Sequence, residues 1–229
     1  MRIGIIGAMD EEIAFLLNHI SDQKEITIAN SLFIQGRLAG SDVVLLKSGI
    51  GKVNAAMGTT IMHERFSPTY VINTGSAGGF ATDLVVGDIV ISSHVVHHDV
   101  DATAFDYAYG QVPQMPAMYE ADADLIDRSA TVLKKMNINS RTGVIATGDS
   151  FMQDPLRVQD IREKFPSMIA VEMEAAAVAQ VCFQYDTPFV IIRALSDIAG
   201  KESSISFDEF LPMAAKNASD LIIEMIKMS

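Results

Sequence analysis

The chain has 229 residues, of which 17 are basic and 29 acidic, so its formal net charge is −12. A hydrophobic content of 49% supplies enough apolar material for a buried core and excludes a disordered chain. The acidic balance, without a cluster of lysines or arginines, argues against nucleic acid as a partner. The single cysteine, Cys182, allows neither an intrachain disulfide nor a multi-cysteine metal site and suits a reducing, cytoplasmic location. No apolar stretch approaches the roughly 18 residues that cross a membrane, so we expect no membrane span and no export signal.

Apolar runs typical of strands alternate with longer helical patterns along the whole chain. This alternation predicts an α/β fold with helices on both faces of a mostly parallel or mixed sheet, as one domain over residues 1–229. The predicted strands are Arg2–Gly7, Leu32–Leu38, Asp42–Lys47, Tyr70–Thr74, Asp88–Ser93, Thr142–Thr147, Ile169–Val171 and Phe189–Leu195. The first predicted helix follows residue 9. The other predicted helices span Lys52–Arg65, Ala121–Met136, Pro155–Lys164, Glu174–Tyr185 and Phe207–Met228.

Two of these helices carry a start signal. Asp154 before Pro155 predicts an N-cap followed by a proline at the first helical position. The run Ser206–Glu209 matches a capping box, which predicts that Ser206 caps the last helix. The least regular segment, residues 99–118, contains several aromatic residues, glycine and proline, and loops of this length usually cover a site or an interface.

Two glycine-containing segments resemble nucleotide-binding motifs without matching them. The run Gly4–Gly7 lacks the G-x-G-x-x-G spacing of a dinucleotide site. The run Ser48–Lys52 lacks the first glycine of a P-loop, and Val53 replaces its Ser/Thr. We therefore expect no nucleotide cofactor, and we interpret the second run as a tight strand-to-helix turn that needs positive φ angles.

Three further segments place polar groups at predicted strand ends. The glycine-rich run Asn73–Gly79 lets backbone approach a ligand closely, although glycines also serve ordinary turns. Glu172 and Glu174 precede an alanine-rich helix, where they either complement the helix dipole or accept hydrogen bonds from sugar hydroxyls. In Arg193–Asp197 a strand runs directly into charged and hydroxyl groups, which form either a site or a structural ion pair between Arg193 and Asp197.

The acidic run at residues 10–12 and the histidine pair at 97–98 leave alternatives open. Asp10 and Glu12 both flank the apolar stripe of the first helix, and periodicity does not choose between them; acidic residues in a first turn usually complement the helix dipole. His97 and His98 point to opposite faces of a strand and have no further ligand at metal spacing, so we expect no metal.

Taken together, these segments resemble the bacterial 5′-methylthioadenosine/S-adenosylhomocysteine nucleosidases of the nucleoside phosphorylase superfamily. The resemblance covers essentially the whole chain and rests on an ordered set of motifs. These are Ile3–Met9 with Glu11-Glu12, Lys47–Val53, Asn73–Gly79, Val171–Ala175 and Ser206–Phe210. It implies a three-layer α/β/α nucleosidase that needs no cofactor and hydrolyses the N-glycosidic bond of the two named substrates and of 5′-deoxyadenosine.

The resemblance also assigns catalytic roles. Glu12, rather than Asp10, would activate a water for attack on the anomeric carbon, with Ser76 and Arg193 positioning that water. Asp197, beside Ser196, would be protonated and give its proton to N7 of adenine. The two carboxyl groups then need contrasting environments, because one must be ionised and the other neutral.

Substrate contacts follow from the same resemblance. Met173 and Glu174 would hold the ribose hydroxyls, while Phe151 stacks on adenine and the main chain at Met152 binds its edge. The expected lining of the 5′-alkylthio pocket is Met9, Ile50 and Phe207. Residues of the 99–118 segment would close the neighbouring site of a homodimer; they are Phe105, Tyr107 and Pro113. Met152 and Ala102 stand where this family has a branched aliphatic residue.

Two rival functions would need different residues. A phosphorylase of the same fold would need cationic groups for phosphate, whereas Glu11 and Glu12 occupy the region in which, by resemblance, such enzymes carry an arginine. A non-catalytic nucleoside sensor could retain Phe151 and Glu174 but would not need both Glu12 and Asp197. The sequence therefore favours a hydrolase.

Overall fold

The computed structural model describes residues 1–81, 83–199 and 203–228, without the side chains of 203–208. Within this part of the chain, ten strands and six α-helices alternate much as the sequence predicts. The strands are β1 (Arg2–Gly7), β2 (Ser21–Ile28), β3 (Ser31–Leu38), β4 (Ser41–Lys47), β5 (Tyr70–Gly79), β6 (Ile89–His97), β7 (Tyr119–Glu120), β8 (Ser140–Thr147), β9 (Met168–Glu172) and β10 (Phe189–Ile198). The helices are α1 (Asp10–Leu17), α2 (Lys52–Phe66), α3 (Ala123–Met136), α4 (Pro155–Lys164), α5 (Ala175–Gln184) and α6 (Ser203–Lys227).

The strands form one mixed sheet that closes partly on itself. In the sheet order β10-β6-β8-β9-β5-β1-β4-β3-β2, strand β10 also pairs with β5, so that five strands form a ring and four extend from it. Parallel pairs such as β1–β4 and β5–β10 alternate with antiparallel pairs such as β3–β4 and β5–β9. The carboxyl ends of β1, β4, β5 and β10 therefore lie at the same edge of the sheet.

Helices pack on the sheet through separate apolar clusters. One cluster joins strand residues to α2 and α5 through side chains such as Met62 and Val178. A second joins the strands to α1, α3 and α6 through side chains such as Leu16, Leu133 and Ile222. Burial of this apolar surface is the main stabilising term of such a layered fold, and the α/β fold class is as expected. Across the described residues no helix has the length and apolar character that a membrane crossing requires.

The structure differs from the predicted elements in places that have a physical explanation. Strand β2 was not predicted, because it lies at the sheet edge with nearly every residue exposed and lacks an apolar alternation. The two-residue β7 was also missed. Strands β5 and β10 continue past their predicted ends, because their mutual pairing extends to Gly79 and Ile198.

Of the two predicted helix starts, one is confirmed and one is wrong. Asp154 caps α4 by accepting from the amides of Leu156 and Arg157, as expected. The prediction that Ser206 caps the last helix is wrong: α6 already includes Ser203, so Ser206 lies inside it. A capping box is a local signal, and serine is also tolerated in the first turns of a helix.

Candidate active site

Segments that follow several strand ends surround one cavity of about 460 Å³. It contains many of the residues that the sequence singled out. These are Met9, Glu12, Ile50, Ser76, Phe151, Met152, Met173, Glu174, Ser196 and Asp197. Further lining residues are Ala8, Ala77, Gly78, Ser150, Val171 and Glu172. A concave pocket at the carboxyl ends of strands is where α/β folds generally bind small molecules.

Glu12 is a cavity-lining carboxylate that accepts four hydrogen bonds and is only 6% exposed. Its Oε2 accepts from the backbone amides of Ala8 at 2.8 Å and Met9 at 3.2 Å. Its Oε1 accepts from the amide of Ser76 at 2.9 Å and from the Ser76 hydroxyl at 3.2 Å. All four partners are donors, which suits an ionised carboxylate. Asp10, by contrast, is exposed and pairs with Lys47, so the structure separates the two candidates that periodicity could not.

Arg193 lies behind the cavity wall and is 1% exposed. Its Nη2 donates to Glu172 Oε2 at 2.6 Å and to Asn73 Oδ1 at 2.8 Å, and it lies 3.9 Å from Glu174 Oε2. The ion pairs of Arg193 among the described residues are thus with Glu172 and Glu174, and not with Asp197 as the structural alternative supposed. Neither its Nε nor its Nη1 has a hydrogen-bond partner within the described part of the chain.

Gly75 brings Glu12 and Arg193 together. A Cβ at this position would lie 2.6 Å from Glu12 Oε1 and 3.0 Å from Arg193 Nη1, and the φ angle is +155°. The first distance is shorter than real Cβ contacts and the second is tighter than most, so a side chain here would displace the hydrogen-bonded Glu12 carboxylate. Glycine leaves room for the carboxylate and the guanidinium on the same side of β5. The unpartnered Nη1 therefore lies close to Glu12 Oε1. Together these two groups can hold a small polar molecule such as water.

Glu172 connects Arg193 to helix α5. Its Oε2 accepts from the amides of Glu174 at 2.9 Å and Ala175 at 2.8 Å, and its Oε1 accepts from the Thr147 hydroxyl. The dipole interpretation of Glu172 is therefore correct, and the same carboxylate also lines the cavity. The partner Arg193 was missed because nothing in the local sequence relates two residues on different strands.

Glu174 faces the cavity next to two other acidic groups. Its Oε1 accepts from the amide of Gly51 at 2.8 Å. Burial, and next the neighbouring Glu172 carboxylate, raises the pKa of Glu174 to about 8, although Arg193 and the Gly51 amide act in the opposite direction. Gly51 and Gly49 have φ angles of +93° and +86°, which confirms the predicted tight turn before α2.

Ser196 and Asp197 both reach the cavity because β10 is irregular there. The pairing register with β5 shifts between Leu195 and Asp197, so that neighbouring residues need not point to opposite faces. The Ser196 hydroxyl donates to Asp197 Oδ1 at 2.9 Å, and Asp197 is 3% exposed. Asp197 Oδ2 lies 3.2 Å from the position that a Cβ on Gly78 would take, so this glycine also gives the carboxyl group space.

The segment after β8 supplies the wall opposite the strand ends. Phe151 is 44% exposed and lines the cavity, whereas Met152 is buried in an apolar cluster with residues such as Phe80 and Val158. Asp154 ends the segment as the N-cap of α4. An exposed aromatic ring beside a buried thioether offers an apolar surface on which a flat base can stack.

The three predicted residues of the 99–118 segment do not line the cavity of their own chain. Phe105 lies in a short 3₁₀ helix and is 77% exposed; Pro113 is exposed and Tyr107 half-buried. The side chain of Phe207 lies outside the described residues. His97 and His98 are buried, and burial lowers the pKa of both. Within the described residues no group of three acidic, histidine or cysteine side chains is arranged to hold a metal.

Comparison with known proteins defines first the class and then the family. The family model of the Phosphorylase superfamily matches residues 2–227. The 5′-methylthioadenosine/S-adenosylhomocysteine nucleosidase of Oceanobacillus iheyensis is 65% identical over 227 residues, 99% of either chain.

Two solved structures with the same enzyme name are similar along nearly their whole length. One, from Colwellia psychrerythraea in complex with adenine, is 52% identical with a TM-score of 0.96, covering 99% of this chain and 94% of that one. Another, from Neisseria meningitidis in complex with methylthio-immucillin-A, is 46% identical with a TM-score of 0.97, covering 100% and 99%. The chain belongs to the 5′-methylthioadenosine/S-adenosylhomocysteine nucleosidase family of the Phosphorylase superfamily.

Proposed function

We propose that this chain hydrolyses the N-glycosidic bond of 5′-methylthioadenosine, S-adenosylhomocysteine and 5′-deoxyadenosine, releasing adenine and the 5′-substituted ribose. The observation that carries the proposal is the cavity itself, in which the hydrogen-bonded Glu12 and the Ser196–Asp197 pair face the same enclosed space. A base and an acid in different surroundings are what bond cleavage by water requires.

Glu12 acts as the general base. It takes a proton from water, whose oxygen forms the new bond to the anomeric carbon while the bond to N9 of adenine breaks. The Ser76 amide and hydroxyl hold Glu12 Oε1, and the unpartnered Nη1 of Arg193 donates to the water. This arrangement fixes the water before reaction, which removes an entropic cost from the barrier.

Asp197 acts as the general acid. In its protonated form it gives a proton to N7, so that adenine leaves as a neutral base, and the Ser196 hydroxyl at 2.9 Å orients the carboxyl group. The Phe151 ring and the main chain at Met152 hold the base beside it.

The acidic groups near the ribose stabilise the transition state. Glu12, Glu172 and Glu174 surround one guanidinium, that of Arg193, so carboxyl groups outnumber the cation even while the raised pKa of Glu174 keeps that group protonated at neutral pH. Positive charge develops on the ribose as the glycosidic bond loosens, and this excess favours it. Glu174 and Met173 bind the ribose hydroxyls, while Met9, Ile50 and Phe207 form the apolar 5′ pocket.

Water is preferred to phosphate as the nucleophile. Among the described residues that line the cavity there is no lysine or arginine, the Arg193 guanidinium behind its wall is already paired with Glu172, and Glu12 itself lines the cavity. Bringing a phosphate anion against this carboxylate is opposed by charge repulsion.

The proposal extends to the whole protein. Residues 1–229 act as a single nucleosidase domain in the cytoplasm, serving methionine salvage and removal of a methyltransferase by-product. Two copies form a homodimer in which the 99–118 segment of each closes the site of the other through Phe105, Tyr107 and Pro113. The 77% exposure of Phe105 is consistent with a role outside its own chain.

The test is adenine release from 5′-methylthioadenosine in phosphate-free buffer, with product identification with and without added phosphate. Free methylthioribose in both conditions is expected. A sugar 1-phosphate formed only with phosphate would replace this proposal with a phosphorylase. Tight binding without any product would indicate a sensor. In the same assay Glu12→Gln and Asp197→Asn should each lose turnover by at least about 100-fold, and full activity of either variant would exclude the assigned role.

A further inference from the structure

Three polar side chains outside the cavity lining form a closed ring of contacts beside it. Asp99 Oδ1 accepts from Lys52 Nζ at 2.6 Å, and Asp99 Oδ2 accepts from the amide of Asp149 at 3.0 Å. Asp149 Oδ1 in turn accepts from the amide of Lys52 at 2.8 Å. Each of the three residues therefore contacts both others, and we call this set the Lys52–Asp99–Asp149 ring.

Each member of the ring belongs to a different segment of the site. Lys52 begins α2. Just before it, Ile50 lines the cavity and the amide of Gly51 donates to Glu174. Asp149 directly precedes the cavity-lining run Ser150–Met152. Asp99 opens the long segment 99–118, whose base is held by the hydrogen bond from the Gly110 amide to the Val100 carbonyl.

The ring brings backbone unusually close to a carboxylate. Asp149 Oδ1 lies 3.1 Å from the position that a Cβ on Gly51 would occupy, and Gly51 has a φ angle of +93°. The turn that presents the Gly51 amide to Glu174 is thus packed directly against Asp149. A shift of Asp149 would move the groups that meet the ribose as well as those that meet the base.

The ring has charges that are only partly accessible to water. The side chains of Lys52 and Asp99 are 20% and 29% exposed, so their attraction is less screened than that of a surface pair. Burial alone would raise the pKa of Asp99, but the Lys52 ammonium and the Asp149 amide outweigh it and lower that pKa. Asp99 is therefore ionised at neutral pH and accepts from both partners.

We infer that the Lys52–Asp99–Asp149 ring is a positioning device for substrate binding, which holds the Gly51–Glu174 contact and the Phe151 wall at their correct separation. The inference rests on the proposed function for its kinetic test. None of the three side chains lines the cavity, so they act through Glu174 and Phe151. Glu12 and Asp197 are held by α1, β5 and β10 through contacts of their own, so the chemical step is expected to suffer less than binding.

The decisive variant is Asp99→Asn. An amide has one oxygen, so its NH₂ group must face either the Lys52 ammonium or the Asp149 amide, both of which are donors. The ring opens while the shape of residue 99 is preserved. We expect the KM for 5′-methylthioadenosine and the Kd of adenine to rise about tenfold, with kcat reduced less than threefold.

Two comparisons separate positioning from general destabilisation. Asp220→Asn makes the same substitution in an ion pair with Lys216 one helical turn away in α6, neither of which lines the cavity, and should leave KM, Kd and kcat unchanged. Lys52→Gln opens the ring at another corner and should reproduce the Asp99→Asn profile, and it serves if Asp99→Asn fails to fold. The double variant should not add the two effects, because both break the same ring.

The outcomes are distinct. Unchanged KM and Kd in a folded Asp99→Asn variant, or a fall in kcat larger than the rise in KM, would overturn the inference. Adenine affinity, measured by titration calorimetry, needs no turnover. A wild-type chain that binds adenine without hydrolysing nucleoside would contradict the proposed function, and a weaker adenine affinity of Asp99→Asn would still support the ring.

Discussion

At the scale of single residues, the absence of a side chain at position 75 is as important as the carboxylate that it accommodates. Glu12 Oε1 occupies space that any Cβ at position 75 would need, and Arg193 Nη1 borders the same space. Glycine is commonly regarded as a source of flexibility, but here it provides room for a close approach of three polar groups.

Gly75→Ala is expected to lower kcat by about 100-fold, because a displacement of Glu12, the proposed base, by about 1 Å is enough for such a loss. Steady-state kinetics on the folded variant measure the effect. Gly40→Ala is the matched control, since Gly40 also has a positive φ angle but has nothing within 4 Å of its virtual Cβ. It should lose some stability and no turnover. Wild-type kcat in Gly75→Ala would contradict the steric argument.

The raised pKa of Glu174 predicts a specific pH dependence of stability. The folded chain retains this proton up to about pH 8, whereas an unfolded chain releases it near the ordinary glutamate pKa of 4.5. Glu174 therefore contributes stability that is present at low pH and is lost as the pH rises through about 8. Burial is the largest cause of the raised pKa; Glu172 and Glu12 raise it further, while Arg193 and the Gly51 amide oppose the shift.

Glu174→Gln retains an oxygen for the Gly51 amide but cannot ionise. Its melting temperature relative to wild type should increase between about pH 5 and pH 8 and then level off, because above that pH neither the folded nor the unfolded wild-type chain holds the proton. Each kcal/mol corresponds to about 2–4 °C in a chain of this size. Glu224→Gln, which changes an exposed carboxylate paired with Lys227, provides the baseline. A difference between Glu174→Gln and wild type that does not vary with pH would show that the carboxyl group does not titrate in this range.

At the scale of elements, the junction between β9 and α5 combines a helix cap with a buried ion pair. Glu172 is the last residue of the strand, accepts from the amides of Glu174 and Ala175, and pairs with Arg193. The Thr147 hydroxyl accepts from the amide of Ala176 and donates to Glu172. The first turn of α5 is therefore attached to two neighbouring strands, which places Glu174 at the cavity.

Glu172→Gln retains the oxygen that caps the helix but removes the charge opposite Arg193. Leaving a buried guanidinium without its main partner should cost about 3 kcal/mol, or a fall in melting temperature of about 6–12 °C. Asp154→Ala removes a helix cap that has no ion pair with any described residue and should cost about 1 kcal/mol. Thermal unfolding of both variants measures the difference; a loss in Glu172→Gln no larger than in Asp154→Ala would mean that the ion pair adds nothing.

At the scale of the whole molecule, the sheet explains why residues far apart in the chain share one cavity. The parallel pairing of β1 with β4 and β5, and of β5 with β10, brings the segments after residues 7, 47 and 79 to the end of β10 that contains Asp197. The exposed segment around Phe105 lies apart from this cavity in its own chain. A second copy would bring it to a site, as the proposed homodimer requires.

Subunit complementation tests the homodimer. Glu12→Gln and Phe105→Ala chains, refolded together, should form mixed dimers in which one site has both native residues. The mixture should reach about one quarter of wild-type activity, since half of the dimers are mixed and each has one intact site. Glu12→Gln with Asp197→Asn is the control, because both residues belong to the same chain's cavity and no mixed site is complete. Equal, negligible gains in both mixtures would exclude a shared site.

Much of the fold was predictable from local patterns. Strand β1 and helix α4 have their predicted bounds, because an uninterrupted apolar run and an N-cap with proline are signals contained in a few neighbouring residues. Strand β2 was missed because its exposed side chains lack such a pattern, and its pairing with β3 alone defines it.

The sequence by itself determined the alternation of strands and helices and the polar residues at strand ends, since both depend on periods of a few residues. Only the tertiary structure decided that Arg193 pairs with Glu172 and that the Gly51 amide reaches Glu174, 123 positions away. Likewise, periodicity left Asp10 and Glu12 equivalent until burial of one and exposure of the other separated them. The physical reason is that side-chain periodicity records which face is buried, whereas the identity of the neighbour on that face depends on strand order and register.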